Sequence, residues 1–139
     1  MTFCEQSSDD SSIAGADLLI RAVHPRLWVK VNGGAGFRPA SPAFNESGDG
    51  TGTSINLWEV LKSQGLPKTF VPASLKGKWS DHGFVEFPAD LPRASSVKVV
   101  RMKLPENDAH AVLCGVSDEA KTALSRNSLI VSLGKPAIK

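Results

Sequence analysis

Arginine and histidine side chains near the start of the chain could bind an anion. Arg21 interrupts the apolar run DLLIRAV, and a charge in such a run must reach water or a partner. A guanidinium holds phosphate or carboxylate through two parallel hydrogen bonds. Arg21 therefore either faces solvent on an edge strand or lines an anion-binding cleft. Arg38 and His24 are further candidates for contacts in the same cleft.

The candidate cleft combines side chains that could contact an anion or enclose an organic ligand. These are Arg21, His24, Phe37, Arg38, Ser41, Phe44, Ser54 and His110. His110 begins the apolar run HAVLCGV, where it is either a structural hydrogen-bonding residue or a pocket residue. No catalytic set is identified. No Gly-x-Ser-x-Gly motif marks a nucleophile, and Cys114 falls within a predicted buried strand, where a thiol is usually inert.

Motifs for metals and phosphates are incomplete. Residues 32–36 (NGGAG) are glycine-rich but lack the Gly-Lys-Ser/Thr of a phosphate loop, so they predict a turn. Residues 45–56 have the spacing of a calcium loop, yet Asp49 is the only carboxylate at a ligand position. The histidines and cysteines show no paired spacing, so neither a metal nor a resident cofactor is expected.

The predicted elements indicate an α+β fold: a mainly antiparallel or mixed sheet of about five to six strands, with two short helices and a long glycine-rich loop. One helix is expected over 54–65, or alternatively a strand through Ile55 followed by a helix from Leu57. A second helix begins after the Ser117 cap and runs to about Arg126. The glycine-rich loop contains an ordered arch (FRPASPAF) and a mobile tip (NESGDGTG). Strands are predicted over 17–23, 27–31, 83–87, 97–104, 110–116 (the most apolar, expected at the centre) and 129–133, with a possible short strand at 69–71.

The length of the chain limits the number of domains, and its net charge limits the kinds of partner that it could bind. The 139 residues suit one domain, predicted as 14–139 after a disordered acidic tail at 1–13. Residues 1–17 hold four acidic residues and no basic ones, so the rest carries 16 basic and 10 acidic side chains, a net charge of +6. That charge attracts anions weakly but is not the dense basic stripe of a nucleic-acid-binding protein.

Location is predicted from what the sequence lacks. It shows no apolar run of the ~20 residues that a membrane helix needs, and no signal peptide. Cys4 and Cys114 are accordingly interpreted as reduced thiols, and the expected location is the cytoplasm, without a membrane partner.

Several short motifs resemble those of a group of small uncharacterised bacterial proteins. They are Arg21-x-x-His24-Pro25, Phe37-Arg38-Pro39-x-Ser41-x-x-Phe44, Ser54-Ile55 and His110-Ala111-x-x-x-Gly115, which together span about residues 18–131. The resemblance supplies a pattern and implies no activity.

The chain is more distantly similar to ADP-ribosyltransferase-like domains, including the RES type of toxin. Those domains have, in order, a strand that carries an arginine, a glycine-rich turn and a short strand that carries a serine. The same order is found here in Arg21, the 33–44 arch and Ser54. The resemblance implies that Arg21 holds NAD phosphates and that the arch encloses the nicotinamide side. Those domains also carry a later glutamate, and neither Glu59 nor Glu86 sits in a recognisable acid motif.

Three functional interpretations follow. The first is a binding or interaction module whose arginine-lined cleft takes a small anionic molecule or a protein partner. The second is an ADP-ribosyltransferase-like enzyme or toxin that uses NAD. The third is a member of a toxin–antitoxin or regulatory complex, in which the acidic tail folds on a basic partner. The residues do not decide whether the protein is an enzyme, and the partner is unknown.

Overall fold

The computed structural model describes residues 1–31 and 36–137, so most of the predicted 32–36 turn lies outside the described residues. The fold is α+β, with a six-stranded antiparallel sheet, a two-stranded sheet and four short helices. The strands are β1 (Leu18–Val23), β2 (Trp28–Val31), β3 (Gly36–Pro39), β4 (Thr53–Leu57), β5 (Gly83–Pro88), β6 (Lys98–Arg101), β7 (His110–Cys114) and β8 (Leu129–Ser132). The helices are α1 (Phe3–Gln6), α2 (Trp58–Ser63), α3 (Asp90–Arg93) and α4 (Asp118–Asn127).

The large sheet has the order β6-β7-β4-β1-β5-β8, and every neighbouring pair is antiparallel. Strands β2 and β3 form the separate small sheet. The apolar strand β7 is an interior strand and is buried along its whole length, but β4 and β1 occupy the centre. Among the described residues no helix is long and apolar enough to cross a membrane.

One face of the large sheet carries the main core. Alternate residues of its strands, such as Leu19, Ile55, Phe87 and Leu113, pack against α4 and the 3-10 turn Ser41–Phe44. Helix α4 begins where the sequence predicts, because the Ser117 hydroxyl accepts the Ala120 N–H as a cap.

The opposite face has two separate covers. At the β6–β7 end, Phe3 and Cys4 of the N-terminal segment pack against Val100 and Val112. At the β1–β5 end, α2 and the segment 66–82 pack apolar side chains on Ile20 and Phe84. This second cover borders the cavity described below.

The N-terminal segment follows a defined path where the sequence predicts a disordered tail. Thr2 and Glu5 form a reciprocal cap on α1, and the Lys98 ammonium donates to the carbonyls of Cys4 and Ser7, both at 2.7 Å. Asp9 accepts the Val99 N–H at 2.8 Å, as a sheet partner would. Lys98 of β6 and Asp9 of the segment thus hold the segment to β6 through specific hydrogen bonds.

The interpretation of the two cysteines as reduced thiols is wrong in this structure, because Cys4 and Cys114 form a disulfide. Docking of α1 brings their Cα atoms to 5.4 Å, within the range that a disulfide requires. No free cysteine is found.

Residues 54–57, predicted as the first turn of a helix, instead belong to β4. Thr53, Ile55 and Leu57 are buried and alternate with Ser54 and Asn56, which is the period of a strand. Pairing with β7 satisfies the main-chain groups of β4, and the helix starts only at Trp58. The alternative of a strand followed by a helix is therefore nearer to the structure.

Smaller differences occur elsewhere in the chain. No strand forms at 69–71, where the chain leads into a 3-10 turn at Ala73–Leu75. The predicted arch divides into β3, paired with β2, and the 3-10 turn Ser41–Phe44. The one-turn helix α3 was not predicted, and it contains Pro92, which usually argues against a helix interior.

Candidate functional site

A cavity of about 200 Å³ lies against the face of the sheet that carries Ser54 and Asn56. Residues of β1, β4, β5 and β7 form one side. Apolar side chains of the segment 66–82 and of the loop after β6 form the other, among them Phe70, Trp79 and Leu104. Trp79 is stacked on His82, with ring centroids 5.1 Å apart. The cavity is therefore mainly apolar, with a few polar groups on its sheet side.

Arg21 reaches this cavity through a local separation of two strands. Strand β1 pairs with β5 over six positions but with β4 over only two, ending at Ile20 and Asn56. Beyond that point β1 and β4 are no longer paired through their main chains, and the Arg21 guanidinium forms hydrogen bonds in their place. Its Nε donates to the Ala43 carbonyl at 2.9 Å, and Nη1 donates to the Ser54 carbonyl at 2.8 Å. The charge inside an apolar strand is thus used to bridge β1, β4 and the 3-10 turn.

The charge of Arg21 has no opposite charge beside it. No carboxylate of the described residues lies within 4.0 Å of its guanidinium. Burial disfavours the charged form and lowers the pKa of Arg21 to about 10, so the side chain is still a cation at neutral pH. A guanidinium has five N–H donors, and two are used by the protein. The other three form no hydrogen bond with the described residues, and Arg21 is one of the residues that line the cavity.

His110 and Ser54 form a hydrogen-bonded pair on the sheet side of the cavity. The Met102 carbonyl lies 2.7 Å from His110 Nδ1, and the Ser54 hydroxyl lies 3.0 Å from Nε2. A carbonyl only accepts, so Nδ1 carries the proton and the neutral ring accepts the Ser54 O–H at Nε2. Burial lowers the pKa of His110, against a smaller raising effect of the Met102 carbonyl. The ring is therefore neutral at pH 7.

Two asparagines complete the polar side of the cavity and were not predicted from the sequence. Asn107 is buried, and its Nδ2 donates to Asn56 Oδ1 at 2.8 Å. The Ala109 N–H donates to Asn107 Oδ1 at 3.1 Å, which fixes the orientation of both amides. The Asn56 amide hydrogens have no acceptor among the described residues. Asn56 sits opposite His110 in the β4–β7 register.

The structure brings together three of the eight predicted cleft residues. Arg21, Ser54 and His110 line the cavity. The other five lie elsewhere, each for a local reason. His24 is exposed and lies beside His82. Phe37 and Arg38 lie on β3 of the small sheet. Ser41 begins a 3-10 turn, and Phe44 is fully buried in the main core.

No cluster of three or more histidine, cysteine or acidic side chains that could hold a metal occurs in residues 1–31 and 36–137. In the stretch with calcium-loop spacing, Asp49 accepts hydrogen bonds from Ser47 and Thr51. These bonds lower the pKa of Asp49 to about 2, and they close the turn.

Comparison with known proteins adds no relative: no protein-family model, curated protein or solved structure matches the chain.

Proposed function

We propose that the protein binds a small organic anion with an apolar body, with its anionic group on Arg21. One observation carries the proposal: a cation at the side of an apolar cavity has no acidic partner in the described chain. A buried charge is costly unless it is paired, and a carboxylate would pair with it through charge-assisted hydrogen bonds. The aromatic side chains Phe70 and Trp79 suit an aromatic or branched body.

The size of the cavity favours a small ligand. Pockets for drug-sized ligands have roughly 300–1,000 Å³, and this cavity has about 200 Å³. The two glutamates considered for ADP-ribosyl transfer do not line the cavity: Glu59 pairs with Lys62, and Glu86 pairs with Lys68. The small-anion proposal is therefore preferred, and the ADP-ribosyltransferase resemblance stays a prediction.

A complex mediated by a free acidic tail is supported less well. Asp9 of that segment accepts hydrogen bonds from Arg93 and from the Val99 main chain. A basic partner would have to compete with these contacts within the chain. The interpretation as a toxin–antitoxin or regulatory complex also stays a prediction.

The disulfide bears on where the protein functions. Disulfides persist in oxidising compartments and are rare in the cytosol, where thiols are kept reduced. The cytoplasmic location predicted from the sequence assumed reduced cysteines, and Cys4 and Cys114 are bonded. We therefore propose that the protein works where this bond stays oxidised.

Calorimetric titration with benzoate tests the proposed function, with benzyl alcohol as a neutral ligand of similar shape. Benzoate is expected to bind saturably and benzyl alcohol at least ~10-fold more weakly. The Arg21→Met variant should lose about 10- to 100-fold in benzoate affinity, since a hydrogen bond to a charged group contributes about 1.5–3 kcal/mol. The matched control is Arg38→Ala, because Arg38 is exposed on β3 and away from the cavity.

Arg21 also holds two main-chain carbonyls, so each variant needs a thermal melt to show that it is folded. The comparison of benzoate with benzyl alcohol on the unaltered chain does not depend on any variant. Equal affinity for the two ligands, or no binding of benzoate at millimolar concentration, would reject the proposal.

A further inference from the structure

The hydrogen bonds at the sheet side of the cavity match those of an activated nucleophile. The Ser54 hydroxyl donates to His110 Nε2 at 3.0 Å, and His110 Nδ1 donates to the Met102 carbonyl at 2.7 Å. A serine becomes a nucleophile when an adjacent base, itself oriented by a third group, accepts its proton. Here the orienting group is a main-chain carbonyl instead of a carboxylate.

The surroundings of the pair suit a base and an accessible nucleophile. His110 is 8% exposed and is held on both ring nitrogens, so its orientation is fixed. Ser54 is exposed and lines the cavity, so a bound molecule could reach its oxygen. A neutral imidazole is the protonation state that a general base requires.

The same strand supplies a donor for the oxygen that becomes charged during acyl transfer. Asn56 lies two residues after Ser54 on the same face of β4 and lines the same cavity. Its carbonyl oxygen is held by Asn107, which leaves the amide hydrogens to face a ligand. Side-chain amides serve as oxyanion donors in acyl transfer.

From these contacts we propose that Ser54 and His110 form a catalytic dyad that hydrolyses a small ester carrying a carboxylate. Ser54 Oγ bonds to the ester carbonyl carbon while its proton passes to His110 Nε2, and Asn56 donates to the carbonyl oxygen. The bond to the leaving alcohol then breaks, and the alcohol takes the proton from Nε2. Water attacks the acyl-serine by the same route, releasing the acid and restoring Ser54.

The choice of a carboxylate-bearing ester rests on the proposed function, because it assigns the carboxylate to Arg21. The dyad itself rests on the Ser54–His110 geometry alone. The two parts can therefore fail separately.

Labelling with phenylmethanesulfonyl fluoride tests the dyad on the intact chain. In the labelling reaction a serine oxygen bonds to sulfur and fluoride leaves, and the benzyl group suits the apolar cavity. Peptide mass spectrometry is expected to find one adduct, on Ser54. Ser54→Ala should remove it, and His110→Gln should slow it at least ~100-fold, since general base catalysis contributes about 10²–10⁴. Ser41→Ala is the matched control, because Ser41 lies outside the cavity and should not change labelling.

Hydrolysis of 3-acetoxybenzoate, compared with phenyl acetate, tests the substrate class. Faster turnover of the charged ester, lost in Ser54→Ala, is expected. A Ser54→Ala variant that still binds benzoate but does not hydrolyse the ester supports both parts. Labelling of Ser54 without benzoate binding rejects the anion site and supports the dyad. Absence of a Ser54 adduct in folded protein, or equal labelling in folded His110→Gln, overturns the dyad.

Discussion

Reduction of the Cys4–Cys114 disulfide is expected to lower the free energy of unfolding by roughly 3–5 kcal/mol, because the bond closes a very long loop of the unfolded chain. The two cysteines are 110 residues apart in the sequence. The bond also joins the short helix α1 to β7, an interior strand of the large sheet. Four helical residues bury no side chain completely, so α1 depends on this link and on Lys98.

Chemical denaturation with and without a reductant measures this effect. Cys4→Ser should reproduce the reduced protein, and a reductant should then cause no further loss. Amide hydrogen exchange in residues 2–10 should rise more than exchange in β7 when the bond is reduced. An unfolding midpoint that does not change on complete reduction would contradict the prediction.

Phe44→Ala is expected to destabilise the protein by about 3–5 kcal/mol, the usual cost of removing a fully buried phenylalanine. Phe44 has no exposed surface, and its ring meets Phe87 edge to face at 6.1 Å. Its carbonyl also accepts the Thr53 hydroxyl at 2.9 Å. The sequence placed Phe44 in a ligand cleft, and the structure places it in the main core instead.

The matched variants are Phe44→Leu and Phe37→Ala. Phe44→Leu keeps most of the apolar volume and should cost much less. Phe37 is half-buried on β3, and its loss should also be milder. Folded Phe44→Leu should bind benzoate as the unaltered chain does. A loss of affinity with unchanged stability would show that Phe44 contacts the ligand.

The parts of the fold that follow from local pattern could be predicted. The cap at Ser117 and the apolar face of Ala120 and Leu124 define α4 without reference to the rest of the chain. Strand β4 could not be assigned in the same way. Its residues continue directly into α2, and its strand pairing depends on β7, about 55 residues later. The strand propensity of residues 53–57 alone does not predict that pairing.

The candidate site was found in part for the same reason. Arg21 is predictable as a site residue, because a charge that interrupts an apolar strand needs water or a partner, and Arg21 does line the cavity. Asn56 is not predictable in the same way, because a helix over 54–65 hides the period of two that Ser54 and Asn56 share on β4. Phe37 and Phe44 were included because large aromatics in a long loop need a pocket. In this structure the main core supplies that pocket: Phe44 is buried in it and Phe37 packs against it.

The N-terminal segment shows how a polar composition can mislead. Thr2 and Glu5 have the spacing of a capping box, which was the local signal for α1. Of the acidic side chains in this segment, Asp9 accepts hydrogen bonds from the Val99 main chain of β6 and from Arg93 of α3, whereas Glu5 and Asp10 accept hydrogen bonds from within the segment. The disulfide depends on this docking and could not be read from two isolated cysteines.

A crystal structure with 4-bromobenzoate would test most directly whether Arg21 holds an organic anion. The expected result is an anomalous bromine peak among the apolar side chains of the cavity, with the carboxylate at hydrogen-bond distance, about 3 Å, from the Arg21 guanidinium. A ligand bound elsewhere at full occupancy, or one whose carboxylate points away from Arg21, would contradict the proposed function.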